Sequence, residues 1–386
     1  MIDIKSQIIK PALNLEDLRV VASAEGWGLT DLRSLHFFLN RNFKYRRKIT
    51  ITEQSGSDLT DYQVLIELNS TNFNFEHAQT NGEDIRFTDA SGNLLDYWIE
   101  EWGAVNEIAK VWVKVPSIPA NSSVEISMFY GNSEITSASD AASTFIRIID
   151  GVVGSWHFDE GSGAAVYDSS GNGNNGTIYG ASWIDGKFGR ALSFDGVDDY
   201  VEINEVDNTL TPGTSNYSIE LWFKLSSEST GHRGLVSKGV FQGNGAYTTY
   251  IYDSDFAKWY SDGTNTVSGV TGNLNDGQWH HIVFTKNGDE HRIYLDGVLD
   301  NSKTLTDVDI TSEENVIIGA RSGGSDAFFL GVIDEVRIYN SALSEEGISD
   351  LYNNYGYTTE NYPGKVLVRK YTEPEPSVSI SEEETA

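Results

Sequence analysis

The chain has 386 residues, enough for two or three domains at about 150 residues each. Its formal charge of −30 argues against nucleic acid as a partner, and the absence of cysteine excludes disulfides, thiolate nucleophiles and cysteine-ligated zinc. No run of 18 apolar residues is present, so no helical membrane insertion is expected, whereas 12% aromatic residues and 37 glycines fit folded, turn-rich β domains.

Residues 1–43 read as a short N-terminal helical segment. Asn14 precedes LEDLRVVASAEG and Thr30 precedes DLRSLHFFLN, both N-cap types followed by acidic first-turn residues. Leu15, Leu18, Val21, Leu32, Leu35 and Phe38 form the apolar faces at three- to four-residue spacing. Helices this short bury little alone, so they need a partner: either the chain's own β domain or another protein. The opening MIDIKSQIIKPALNLEDL has no apolar h-region and no small-residue cleavage site, so no signal peptide is visible.

Residues 44–148 alternate between strand-like runs and turns. YRRKITITEQ, YQVLIELN, DIRFTD, LDYWIEEW, AKVWVKVP and VEISMFYGN are separated by SGSD, TNGE, ASGN and IPANSS. This predicts a small antiparallel β-sandwich. Residues 149–355 predict a second, longer β unit. Its clearest hairpin is HHIVFTK–NGDE–HRIYLDG, with Asn287-Gly288 at the turn and Asp296-Gly297 turning again into VLDNSKTL. SALSEEGISDLYN closes it with a short helix capped by Ser344. Residues 356–386 carry one strand, KVLVRKY, then TEPEPSVSISEEETA, which reads as an extended, mobile acidic tail. The fold class is therefore mainly β: two antiparallel β-sandwich units behind a short helical segment.

Two family resemblances rest on these runs. GSWHFDEGSGAAVYDSSGNGNNGTI, GRALSFDGVDDYVEI, YSIELWFKL, DGQWHHIVFTKNGDEHRIYLDG and FLGVIDEVRIYNSALSEEGI arrive in the order of the laminin-G-like, concanavalin-A-like lectin superfamily, which 149–355 resembles. Residues 44–145 resemble a domain of unknown function found in archaeal and bacterial surface proteins, through YRRKITI, LTDYQVLIEL, NGEDIRFTD, LDYWIEEW, VWVKVPSIPANSS and FYGN. The first resemblance implies a jelly roll whose first and last strands pair. It implies little chemistry, because that superfamily hosts lectins, adhesion modules and hydrolases alike.

Three sets of residues could carry function. Calcium takes six to eight hard oxygens, and acidic, Gly-rich loops supply them. The strand pairing implied by the resemblance brings Asp159 near Asp334, with the DSSGNGN loop beside them; Asp159, Asp168 and Asp334, with Asn172, are the candidate ligands of one structural calcium. The competing account is that DSSGNGN and DGVDD, with Asp195, Asp198 and Asp199, are turns held by Asx hydrogen bonds. The second set is aromatic. Tyr247, Tyr250, Tyr252, Asp253, Trp259 and Tyr260, with Asp255 among them, are candidates for a sugar-binding face, since rings stack on sugar CH faces and carboxylates pair with hydroxyls. Tyr and Trp are equally at home in sandwich cores, where Trp156, Trp222 and Trp279 are expected.

The third set is catalytic, and it is empty. The E-x-D-x-x-E strand of glycosidases resembling this fold would place two carboxylates roughly 5–5.5 Å apart. Here Glu205-Val206-Asp207 is followed by Leu210 where the second Glu belongs, and Glu220 has no partner carboxylate on its strand. Nucleophile-elbow, zinc-helix and phosphate-loop motifs are absent. His280 and His281 are adjacent and point to opposite faces, one to the core and one to solvent.

The expectation is a non-enzymatic surface adhesion or glycan-binding protein with structural calcium, located at a virion surface or an extracellular or cell surface. In the virion case, residues 1–43 would seat on a capsid or tail protein and the sandwiches would act as a receptor-binding or decoration head. The alternatives are a cellular or secreted protein carrying carbohydrate-binding modules, or an ancillary part of a polysaccharide hydrolase. An oligomer would add avidity, although no heptad repeat demands one.

Overall fold

The computed structural model describes residues 42–253, 256–263, 265–321 and 326–386. The helices expected within 1–43 fall almost entirely outside the described residues. The remainder is mainly β, in antiparallel sheets that form two sandwich-like units. One compact unit comprises the described residues up to Phe145 together with Lys370–Ala386, and the other is Ile146–Arg369.

The first unit pairs Tyr45–Thr52 with Ser123–Tyr130, which in turn pairs with Arg86–Thr88. Its second sheet runs Leu59–Asn69, Ile108–Ile118, Tyr97–Gly103. Alternation sends Ile49, Ile51, Val64, Ile66, Val111 and Val113 into one shared core. In KVWVKV the intervening Trp112 faces the other way, yet it too is buried: its ring meets Phe145, and its Nε1 donates to Glu100 Oε2 at 2.7 Å.

The acidic tail differs from its expectation. Ser377–Ile380 and Glu384–Thr385 are strands, both antiparallel to Tyr45–Thr52. Two terms account for the pairing. Tyr45–Thr52 is open on the side away from Ser123–Tyr130, and the S-V-S-I alternation lays half-buried Val378 and Ile380 against the core. Glu383 adds a bond from Tyr130 Oη at 2.7 Å and contact with His77 Nδ1 at 2.9 Å.

The second unit is a two-sheet sandwich. Its front sheet runs Asn265–Ser268, Phe256–Ser261, Tyr247–Tyr252, Arg233–Lys238, Val316–Ile318, Tyr200–Ile203, Gly176–Tyr179, Ala165–Val166. The back sheet runs Ser182–Asp185, Arg190–Asp195, Leu330–Tyr339, Tyr217–Leu225, His280–Asn287, Glu290–Leu295, Val298–Thr304. Val152–Trp156 also pairs with Leu330–Tyr339, so the first and last strands do meet. Trp156, Phe194, Phe223, Trp259, Phe284 and Ile318 lie in the core between the sheets. Trp222 is also buried, but on the outer face of the back sheet, stacked on Tyr352 at 5.7 Å; Trp279 is half-exposed.

Turn chemistry explains the meander. Asn287 pairs with Glu290, so the central turn residues are Gly288, at φ +59°, and Asp289. Asp296 and Gly297, both at positive φ, then join Leu295 to Val298, as a tight primed turn requires. Ser344 caps Glu345–Asn353, accepting from Gly347 N at 3.1 Å. That helix and the small sheet Tyr355–Tyr357, Lys365–Arg369, Arg147–Asp150 add a third layer, with Val283, Tyr294, Tyr339, Ile348, Leu351 and Val366 in its own core.

Candidate functional site

The aromatic candidates divide by strand alternation. Tyr247 and Trp259 point into the sandwich and are 1% and 0% exposed. Both meet Tyr217, at 5.9 and 5.6 Å, so they are core residues and cannot touch a ligand. Tyr250, Tyr252 and Tyr260 point outward from the front sheet, where Tyr250 and Tyr260 stack 5.8 Å apart at 15°. Tyr250 is buried beneath its neighbours, and that burial raises its hydroxyl pKa. Tyr252 and Tyr260 remain half-exposed. Asp253 is exposed at the turn after its strand, at φ +48°. Asp255 lies outside the described residues.

Four further residues complete this outer patch, Lys258 from the strand of Tyr260 and three from elsewhere in the chain. Phe241 packs edge-on against Tyr250 at 5.9 Å and Tyr260 at 5.0 Å. His232 lies 4.7 Å from Tyr252, and Lys258 Nζ sits 3.8 Å over the same ring. Arg321 Cζ is 4.0 Å over Phe241 and 5.2 Å over Tyr250. Burial, then the Arg321 guanidinium, hold His232 below the usual imidazole range, so it is neutral at pH 7. The result is a half-exposed platform of Tyr252, Tyr260, Phe241 and His232 with two cations at its edge. Such rings can stack on the apolar face of a sugar, and the cations and Asp253 can pair with its polar groups.

The four calcium candidates do not act as one set. Asp168 is buried and its carboxylate is fully engaged: Oδ1 accepts from Ser155 N and Ser170 N, and Oδ2 from Ser170 Oγ and Asn174 N, each at 2.9 Å. Asn172 donates to Val153 O and Ser170 Oγ. These two residues build a turn that fastens the loop, as Asx chemistry does. Asp159 and Asp334, by contrast, face the same turn. Asp159 Oδ1 accepts from Arg190 N at 2.7 Å, and Asp334 Oδ2 accepts from Lys187 N at 2.8 Å and Phe188 N at 3.1 Å.

Asp334 is fully buried and its Oδ1 has no donor among the described residues. Burial, with the carboxylates of Glu335 and Asp159 adding to it, pushes its pKa well above the ordinary range. Asp334 Oδ1 is therefore a buried hard oxygen left open to a cation, with Asp159 on the same turn, whereas both oxygens of Asp168 are taken up by N–H and O–H donors. Among the described residues, the three carboxylates able to converge within 4.8 Å are instead Asp195, Asp198 and Asp199. The first two are exposed; Asp195 Oδ1 caps Val197 N, and Asp199 Oδ2 accepts from Asp195 N.

A buried ion network lies on the outer face of the back sheet. Arg337 donates to Glu220 Oε1 at 3.1 Å, and to Glu335 and the Gly356 carbonyl. Glu220 also meets His281 Nε2 at 3.1 Å and accepts from the Tyr339 hydroxyl. Glu335 sits at φ +53° in its strand and contacts His157 Nδ1 at 2.9 Å. Burial and the neighbouring Arg337 push His157 down to about 4. Of the adjacent histidines, His281 is buried here, and His280 is mostly covered, with Asp296 Oδ2 at 2.9 Å. The network lies beneath the third layer, where Arg337, His281, Tyr339 and His157 take up its two carboxylates and hold the fold, while Arg337 Nε and His281 Nδ1 have no partner among the described residues.

Comparison with known proteins agrees with both resemblances read from the sequence. Residues 195–349 match the family described as the concanavalin A-like lectin/glucanases superfamily. Residues 81–170 match a domain of unknown function, DUF2341. A curated relative, the adhesion G-protein coupled receptor V1 of Danio rerio, is 24% identical over 177 residues, which is 43% of this chain and 3% of that protein. Among solved structures, the botulinum neurotoxin serotype D binding domain is 18% identical, covers 53% of each chain and gives a TM-score of 0.43. The binding domain of Paraclostridial Mosquitocidal Protein 1 is 18% identical, covers 55% of each chain and gives 0.44.

Proposed function

We propose that this chain is a non-enzymatic adhesion or glycan-binding protein that engages its ligand through the front-sheet platform. The observation that carries this reading is the outward set Tyr252, Tyr260, Phe241 and His232: half-exposed rings gathered from separate strands and loops on one sheet face. A core needs no such gathering on its solvent side, and a sugar does. The match of 195–349 to a lectin-containing superfamily and the adhesion receptor among the relatives support an extracellular or surface setting. A virion location, with residues 1–43 on a capsid or tail protein, is a narrower form of the same proposal. A glycan array probed with the full chain tests the reading. Tyr260→Ala should weaken the binding found there about tenfold, the loss of one good stacking contact. Absence of binding to every glycan would overturn it.

Calcium enters this reading as a structural ion held by Asp159 and Asp334, supported by the orphaned Asp334 Oδ1. It would supply the positive charge that the buried Asp334 carboxylate lacks, with the exposed Asp159 beside it on the same turn. Adding EDTA to wild type should lower the melting temperature. Asp334→Asn should show no EDTA effect, because the amide keeps the bonds from Lys187 N and Phe188 N but carries no charge. A wild-type melting temperature indifferent to EDTA would remove the ion from the proposal.

A further inference from the structure

Arg321 is 6% exposed, yet only one of its guanidinium nitrogens is paired: Nη2 donates to Asp326 Oδ2 at 3.1 Å. Nε and Nη1 are buried with no acceptor among the described residues. The faces of the group are occupied by Phe241 at 4.0 Å and Tyr250 at 5.2 Å, which satisfy charge but accept no directed hydrogen bond of ordinary strength. Thr248 Oγ1, on the outward side of the same strand as Tyr250 and paired in register with Tyr260, is likewise buried without a partner among the described residues. A buried donor on a cation that lacks its hydrogen bond costs more than a cation–π contact returns. A methionine or leucine would fill the same space without that cost. The arrangement is therefore poor as packing and apt as an anion receptor, since a guanidinium presents its donors in a planar fork that matches a carboxylate.

We propose that the glycan bound at this platform carries a carboxylate, as in uronic acids and other acidic sugars, and that Arg321 receives it beside Phe241 with Thr248 as a supporting hydroxyl. This rests on the platform being a glycan site. Phe241 is half-exposed, so the ring that covers the guanidinium is also the ring that an arriving sugar stacks on or displaces. The chain as a whole is strongly anionic, so the preference comes from short-range hydrogen bonds rather than long-range attraction. Neutral His232 adds no charge to it, and Lys258 is the second cation at the rim.

The experiment compares de-esterified and fully methyl-esterified oligogalacturonate on the full chain, with a sulfated neutral galactan as a third arm. The expected result is that the free acid binds at least about tenfold tighter than its methyl ester, the value of one charge-assisted hydrogen bond. Arg321→Gln should bring the two to equality, and Arg321→Lys should restore only part of the difference because it lacks the fork. Equal binding of acid and ester to wild type, weakened in both by Tyr260→Ala, would overturn this inference and leave the platform standing as a neutral-sugar site. Preference for the sulfated galactan over the free acid would overturn the carboxylate assignment. Binding of no glycan, acidic or neutral, would instead remove the platform reading itself. The acid-against-ester comparison on wild type decides the matter even if the Arg321 variants fail to fold.

Discussion

Replacing Arg337 with alanine is expected to cost the second unit about 3–5 kcal/mol, a fall of roughly 10 °C in melting temperature for a domain of this size. Arg337 is 1% exposed and stands between two carboxylates that share no other full cation. Burial alone would raise Glu220; Arg337, His281 and Tyr339 outweigh it and hold the carboxyl below its ordinary value. Glu335 shares the same guanidinium, yet burial and the carboxylates of Asp159 and Glu220 leave it well above the ordinary range. Removing Arg337 strands both acids in a low-dielectric layer, where each must either stay charged at high cost or take up a proton. The sign of the pH effect follows. The folded-state pKa of both carboxyls rises in the variant, so its deficit shrinks as the pH falls from 7 toward 5, because protonation relieves the stranded charges. A second variant separates charge from shape: Arg337→Met combined with Glu220→Gln and Glu335→Gln should recover most of the loss. Thermal melts at pH 7 and pH 5 check both statements. An Arg337→Ala melting temperature within 2 °C of wild type would show that the network carries no such weight.

The strand pattern was legible because alternation is a local property. YSIELWFKL, HHIVFTKN and VWVKVP each declare a strand within a few residues, and turn pairs such as Asp296-Gly297 declare where it reverses. What alternation leaves open is which face meets another sheet. YTTYIY carries Tyr on both faces, so composition alone could not tell core Tyr247 from platform Tyr252. Trp222 shows the same ambiguity: a third layer, built from a helix and strands far from it in the chain on both sides, buries what would otherwise be a sheet surface. Asp168 and Asn172 illustrate a chemical ambiguity, because Asp, Asn, Ser and Gly are the residues of calcium loops and of Asx turns alike. Only the four donors on Asp168 distinguish them. Arg321, Phe241 and His232 had no signal of their own, since each reaches the patch from a different loop or strand end. The tail held a readable one, S-V-S-I, which the flanking prolines and glutamates obscured.

Adjacent residues of the front sheet give the sharpest test of this division, because one lies in the core and the next in the platform. Trp259→Ala should cost about 3–5 kcal/mol of stability, the range for deleting a fully buried large aromatic. Its ring fills the space between Tyr217, Phe284 and His291, at 5.6, 5.9 and 4.8 Å, and the 0% exposure leaves no route for water to relieve the cavity. Tyr260→Ala, one residue on, removes a half-exposed ring whose partners Tyr250 and Phe241 lie on the solvent side. It should cost only about 1 kcal/mol of stability, while glycan binding falls about tenfold. Denaturant titration reports the first quantity and array binding the second. If Tyr260→Ala proved as destabilising as Trp259→Ala, the outward face would be a second core rather than a surface, and the ligand would have to be sought elsewhere on the sandwich. A Trp259→Ala chain that stayed fully stable would mean that the strand register is shifted by one residue, which would exchange the two faces along the whole of Phe256–Ser261.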